Sequence, residues 1–153
     1  INQLLGDVEN GSKYCDIALS MLDRTQTRTK HANATLLSVM GLAFSKPIPL
    51  LLDPLLNGYK ARMEHGDIEM AMWNMNGYLT MQLYCGKLLK HVNQDFEVYV
   101  PQMKALKQSE PHDATIPSWD VAMELAGLTD HRTKSLMTDR YVQGSSEEST
   151  EIF

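Results

Sequence analysis

The 153-residue sequence predicts an all-α fold of stacked antiparallel helix hairpins, a tetratricopeptide-like α-solenoid segment. Unbranched apolar residues dominate, with 20 Leu and 10 Met against 6 Ile and 7 Val. Because β-branched side chains lose rotamer freedom in helices, this excess favours helices over strands. Apolar residues also recur at spacings of three and four. In addition, Gly6-Asp7-Val8-Glu9 is echoed by Gly66-Asp67-Ile68-Glu69, each time before a helical pattern, as in turns between antiparallel helices.

Three helices are predicted in the first part of the chain. The first spans about residues 13–23 and the second about residues 29–44. The segment Pro47-Ile48-Pro49 ends the second helix, because neither proline has a backbone N–H to donate. The third helix covers about residues 50–64, and Pro54 is tolerated in its first turn.

Two longer helices follow a compact break at Gly66-Asp67, where Gly can end one helix and Asp can cap the next. The fourth helix is predicted over Ile68–Tyr84, and Gly86 ends it. The fifth runs over residues 88–108, with a kink at Pro101, where one internal hydrogen bond is lost.

The last part of the chain predicts a loop over residues 109–117 (SEPHDATIP) and then a short helix over residues 118–128. Residues 1–138 are expected to form one helical repeat-like domain. Residues 139–153 are rich in Ser and Glu and predict a disordered tail or linker. An opening at Ile1 that reads like the middle of a chain suggests a fragment of a larger protein.

The fourth helix has two apolar stripes and is therefore expected to be covered on two sides. One stripe comprises Ile68, Ala71, Met72, Met75, Leu79 and Leu83, and the other Met70, Trp73, Gly77, Met81 and Tyr84. The fifth helix has one stripe and should lie at a solvated surface. Its apolar residues are Leu89, Val92, Phe96, Tyr99, Met103 and Leu106, opposite Lys90, Asn93, Gln94, Glu97, Lys104 and Lys107.

Several function classes are excluded on composition and motifs. A net charge of −5 without a basic run argues against nucleic acid and anionic membrane as partners. Two isolated cysteines favour a reducing, cytoplasmic setting. The sequence lacks a phosphate-binding loop and the GxGxxG, GxSxG and HExxH motifs, so neither catalysis nor a cofactor is expected.

Two small sites with possible chemistry are interpreted as structural. His65, Asp67 and Glu69 are the nearest approach to a metal cluster, but alternate residues across a turn do not converge on one ion. Capping of the fourth helix explains them better, so no metal is expected. Cys85 has no cluster of cations nearby that would lower its pKa, and a packed thiol is the expectation.

An ordered series of landmarks resembles a known family. They are Pro49, Leu52, Gly58-Tyr59, Gly66-Asp67-Ile68-Glu69-Met70-Ala71, Gly86-Lys87-Leu88-Leu89, Leu125-Ala126-Gly127 and Leu136. Together they resemble the tetratricopeptide-like helical region that follows the AAA-type ATPase core of large multidomain signalling proteins. In that family a protein kinase domain precedes the ATPase, and GAF, histidine kinase or nucleotide cyclase domains come after the helical region. The resemblance covers about residues 16–136 and implies a connector without catalytic residues of its own.

The leading hypothesis is therefore a non-catalytic helical scaffold or regulatory connector of a signalling ATPase or kinase, in contact with neighbouring domains or another protein. The alternative is a ligand-sensing helical module with an apolar pocket between the third and fourth helices. Its lining, and the candidate ligand or partner surface, would be Tyr59, Met63, Trp73 and Tyr78. A third possibility is a fragment that folds only beside its neighbours.

Overall fold

Six helices form the part of the chain that the structure, a computed structural model, describes: residues 6–24 and 32–128. They are α1 (Val8–Arg24), α2 (Ala32–Leu42), α3 (Pro49–Glu64), α4 (Ile68–Tyr84), α5 (Leu89–Ala105) and α6 (Ser109–Leu125). No strand occurs within these two ranges. The all-α prediction is confirmed, whereas the predicted tail at residues 139–153 lies outside the described residues.

Consecutive helices pair into three hairpins, α1 with α2, α3 with α4 and α5 with α6. The second helices of the hairpins also meet, since α4 contacts both α2 and α6. This arrangement agrees with the predicted stacking of hairpins, while the tetratricopeptide-like solenoid stays a prediction. Helix α4 contacts α2, α3, α5 and α6 and is the centre of the stack.

Two apolar clusters lie on different sides of α4. Met72, Met75 and Leu79 pack with buried side chains of α5 and α6 in the first cluster. The second cluster is formed by α2 and α3, and Tyr78 and Met81 of α4 pack against it. The predicted coverage of α4 on two sides is thus confirmed. The last residue of the second stripe, Tyr84, is exposed, so the coverage does not extend to the end of the helix.

The two Gly-Asp turns perform the same task. Gly6 and Gly66 have positive φ angles of 68° and 75°. Oδ1 of Asp7 then accepts a hydrogen bond from the Asn10 N–H at 3.1 Å, and Oδ1 of Asp67 accepts one from Met70 N–H at 3.4 Å. Because an aspartate satisfies one of the free N–H groups of a first turn, each turn starts a helix. Helix α1 consequently begins at Val8, five positions before its predicted start.

The largest error of the sequence prediction concerns residues 109–117, which form the first half of α6 rather than a loop. Pro111 occupies the first turn, where its missing N–H would have no partner within the helix. Pro117 is exposed, so water can reach the carbonyl that its absent N–H leaves unpaired. Neither proline therefore prevents the helix. Helix α6 ends at Leu125, before Gly127 with a φ of 68°.

Helix α5 confirms the predicted solvated face with one exception. Lys90, Gln94 and Glu97 are exposed, but Asn93 is buried. Its Nδ2 donates a hydrogen bond to the backbone oxygen of Ala122 in α6 at 3.3 Å. A polar side chain can be buried where it finds a partner, so a hydrophobicity pattern alone places Asn93 on the wrong face.

Candidate functional site

The structure brings together three of the four residues that the sequence proposes as a ligand or partner surface. Tyr59 and Met63 of α3 and Tyr78 of α4 are half-buried, and all three pack against the first core cluster. Trp73 lies five positions before Tyr78, about 140° around the helix at about 100° per residue. It is half-buried and is not among the side chains that pack against the first core cluster. The pocket lined by all four side chains stays a prediction.

A third tyrosine, Tyr99 of α5, joins this group. The rings of Tyr59 and Tyr99 meet edge to face, with centroids 5.7 Å apart and planes at 79°. The Tyr59 hydroxyl also lies 3.5 Å from Oε1 of Gln102 on α5. Sequence reasoning assigned Tyr99 only to the apolar stripe of α5. Its hydroxyl, a polar group within an apolar stripe, was the signal that could have singled it out.

A chain of polar contacts runs beside these tyrosines. Nε2 of Gln82 donates a hydrogen bond to Oδ2 of Asp95 at 2.8 Å, and Nζ of Lys87 donates one to Oε1 of Gln82 at 3.1 Å. The same Nζ lies 5.8 Å from the ring centroid of Tyr78. Sequence reasoning missed all three polar residues, because they belong to two helices and the turn between them.

The surroundings of Tyr78 and Tyr99 favour the neutral form of their hydroxyls. Burial raises the pKa of Tyr78, and the nearby carboxylate of Asp95 adds to this effect, as do Tyr99 once it ionises and the carboxylate of Asp53. The pKa of Tyr99 is also raised, first by burial and then by Tyr59 and Asp95. The environment of these rings is thus both apolar and negative.

A second surface of interest is the outer face of the first hairpin. No charged residue occurs in α2, and its sequence is ANATLLSVMGL. Val39 and Leu42 are buried on one side, whereas Leu37 and Met40 are exposed on the other by 66% and 44%. Phe44, just beyond the helix, continues this row and is 59% exposed. We call Leu37, Met40 and Phe44 the α2 outer face.

Helix α1 has a similar exposed row. Tyr14, Ile17 and Met21 follow a spacing of three and four and are all exposed. Cys15 and Leu19, on another side of the helix, pack against the second core cluster. Apolar side chains scattered over a surface are normal, but rows at helical spacing on two paired helices form extended apolar surface.

The residues considered for metal binding are occupied by structural contacts. Nη1 of Arg62, which is buried, donates to Oδ2 of Asp67 at 2.6 Å. Nδ1 of His65 lies 2.6 Å from the Ala61 carbonyl and must carry a proton there, since a carbonyl can only accept. Among the side chains that the structure describes, those of residues 6–21 and 34–128, no three His, Cys, Asp or Glu are grouped so that they could hold a metal ion.

The two cysteines are unpaired and half-buried. Burial raises the pKa of both thiols, and at Cys85 this outweighs the opposite effect of Lys87. Since the thiolate is the reactive form, neither sulfur is activated as a nucleophile near neutral pH.

Neither a family model, nor a curated protein, nor a solved structure matches the chain. Among the helices described, none is long and apolar enough to cross a membrane. Arguments about function therefore depend on the two surfaces just described.

Proposed function

We propose that this chain is a non-catalytic helical scaffold that binds a partner protein or a neighbouring domain through the α2 outer face. The supporting observation is the combination of two facts about this helix, the lack of any charge in α2 and the exposure of Leu37, Met40 and Phe44. A helix without charged residues is normally well buried, so an exposed row of apolar side chains on it is typical of a contact surface.

The energetics agree with a docking surface. Burying a Leu, Met or Phe side chain that is otherwise exposed contributes about 1.5–3 kcal/mol. Three such side chains in one row can contribute most of the free energy of a moderate contact, as interfaces often depend on a few apolar anchors. The row lies at the end of the stack that α4 organises, so a partner can approach it without disturbing either core cluster.

The resemblance to the helical region of multidomain signalling proteins suggests the kind of protein in which this scaffold acts. The chain would be a regulatory connector of a multidomain signalling ATPase or kinase and would transmit contacts between neighbouring domains. A cytoplasmic location fits the free thiols of Cys15 and Cys85.

Photo-crosslinking in the cell of origin tests the docking surface. A benzophenone amino acid replacing Met40 should form an adduct with a partner, and the same amino acid replacing exposed Glu97 on α5 serves as the control. Leu37→Ser and Phe44→Ser together should abolish the adduct. Because both side chains are exposed, these changes should shift the free energy of unfolding by less than about 0.5 kcal/mol each.

Equal adducts at positions 40 and 97, or none at 40, would count against the scaffold proposal. A loss of stability of several kcal/mol in the double variant would show instead that the α2 outer face is part of the fold.

A further inference from the structure

Lys87 lies in the exposed turn between α4 and α5, yet its ammonium group is held against the protein. Nζ donates a hydrogen bond to Gln82 and lies over the ring of Tyr78, at the distances given above. A surface lysine ordinarily keeps its strongly hydrated ammonium in water. This seated ammonium indicates that the surface beneath it favours such a group.

The orientation of Gln82 explains part of this preference. The side chain is only 2% exposed, and its amide nitrogen faces the Asp95 carboxylate at 2.8 Å. A carboxylate only accepts hydrogen bonds, so the NH₂ of Gln82 must point toward Asp95 and the carbonyl oxygen toward Lys87. That oxygen selects a hydrogen-bond donor at the surface.

Electrostatics explain the rest. Asp95 and Asp53 both act on the Tyr78 hydroxyl and make its surroundings negative. The face of a tyrosine ring attracts a cation through its quadrupole at distances up to about 6 Å. A carbonyl acceptor, a ring face and a nearby carboxylate are the groups that recognise an alkylammonium ion.

The turn between α4 and α5 allows the Lys87 side chain to move away from Tyr78 and Gln82. Gly86 precedes it with a φ of 67°, and Leu88 after it is 71% exposed. Neither residue is part of a core cluster. Lys87 can therefore withdraw into water without unpacking α4 from α5.

We propose that Tyr78, Gln82 and Asp95 form a binding site for an alkylammonium ligand, and that Lys87 occupies this site as an internal competitor. We call these three residues the ammonium site. This site shares Tyr78 with the ligand-binding alternative but lies between α4 and α5, and it is independent of the scaffold proposal, which concerns a different hairpin.

Butylammonium is the probe, because it reproduces the end of a lysine side chain. It is titrated at constant ionic strength into isotope-labelled wild-type protein and into Lys87→Met, which replaces the aliphatic stem by a similar unbranched chain and removes the ammonium group. The side-chain amide resonances of Gln82 and the ring resonances of Tyr78 report binding. A tethered competitor that fills the site about nine-tenths of the time raises the apparent Kd about tenfold, so half-saturation should be about tenfold lower in Lys87→Met.

Lys90→Met is the matched control, since it removes an exposed lysine of α5 near the same turn. It should respond like the wild type. No saturable change in Lys87→Met, or an equal gain in Lys90→Met, would overturn the proposal, because the effect would then be absent or would reflect net charge alone.

Two further probes sharpen the assignment. Butyltrimethylammonium has no N–H and cannot donate to Gln82, so it should bind less tightly than butylammonium. Equal binding would overturn the role given to Gln82. An N-acetylated Gly-Lys-Gly amide distinguishes the source of the ligand: tighter binding than butylammonium supports a lysine of a partner protein, and equal binding supports a free amine.

Discussion

At the scale of single residues, Gly58 in α3 makes a close approach to Asn74 in α4. Asn74 is fully buried, and its Nδ2 donates to the Met70 backbone oxygen at 2.8 Å. Among the residues that the structure describes, its Oδ1 has no hydrogen-bond partner. A Cβ atom at position 58 would lie 2.6 Å from this oxygen, so a larger residue there would force the Asn74 side chain to shift.

We predict that Gly58→Ala destabilises the protein by about 1–3 kcal/mol through this overlap. In an Asn74→Ala background the oxygen is gone, and the same change should instead stabilise by about 0.5–1 kcal/mol, because alanine is the better helix former. Urea unfolding of the four variants of this cycle measures the coupling. Additive effects would show that Gly58 and Asn74 do not meet as described.

Asp67 has two roles that substitutions can separate. It caps α4, and its other oxygen pairs with Arg62, which is 5% exposed. Capping alone predicts a cost of about 1 kcal/mol for Asp67→Ala. Leaving a buried guanidinium without its carboxylate adds to this, so we expect about 2–4 kcal/mol in total.

Asp67→Asn provides the control, since asparagine is an equally good cap without the charge. It should cost less than Asp67→Ala in chemical denaturation. If both variants lose the same amount, the cap contributes nothing and the charge on Asp67 accounts for the whole effect.

At the scale of helices, the position of a proline within a helix matters more than its presence. Pro111 lies in the first turn of α6, and Pro117 lies near its middle, where the Asp113 carbonyl loses its partner. Pro117→Ala should restore that hydrogen bond and stabilise the protein by about 1–3 kcal/mol.

Pro111→Ala is the natural comparison, because it restores no helical hydrogen bond and removes atoms from a buried side chain. The Tm of thermal unfolding should rise for Pro117→Ala and should fall or stay constant for Pro111→Ala. A gain at position 111 equal to that at 117 would contradict the described start of α6.

Helices α4 and α6 together show what the sequence can and cannot predict about this fold. Helix α4 was predicted with its observed bounds, because Asp67 and Gly86 mark its ends and apolar spacing fills its interior. The prediction of a loop over residues 109–117 was wrong. Two prolines in a short segment indicate a loop unless one knows that the first of them lies in the first turn of a helix. The spacing of apolar residues predicts that a helix exists. The position of its ends depends instead on which backbone N–H groups of the first turn lack a partner within the helix.

The candidate site was predictable only in part, for a related reason. Tyr59, Met63 and Tyr78 were found together because they belong to adjacent helices whose apolar faces must meet. Trp73 is not among the side chains that pack against the same cluster, and its place in the group stays a prediction, since nearness along a helix does not fix a shared face. The contact of Gln82 with Asp95 depends on the rotation of α5 against α4, which no single helical pattern specifies.

At the scale of the whole molecule, α4 separates two surfaces of different character. The first hairpin exposes uncharged apolar rows, and the contact of α4 with α5 holds a polar and aromatic group. The core clusters lie on different sides of α4, and Tyr78 packs against both, so packed side chains form a continuous path between them. A scaffold that responds to an ammonium ligand would need such a path.

The tyrosines on this path also give the whole molecule a dependence on alkaline pH. Their hydroxyls are neutral when protonated, and the fold raises the pKa of Tyr78 and Tyr99 above the usual value for tyrosine. As the pH passes about 10, the unfolded chain therefore loses these protons before the folded chain does. The stability from these neutral hydroxyls is complete below that pH and is lost as the pH rises through the pKa values of the folded state.

We expect the free energy of unfolding to fall as the pH rises above about 10, and the fall to be smaller in the variant Tyr78→Phe/Tyr99→Phe, which cannot ionise at these positions. Lysines also titrate in this range, but they do so in both proteins, and the difference between the two curves isolates the tyrosines. Absorbance of tyrosinate near 295 nm should show a late-ionising fraction in the wild type that is missing from the variant. Superimposable stability curves would mean that the two hydroxyls are as accessible in the folded chain as in the unfolded one.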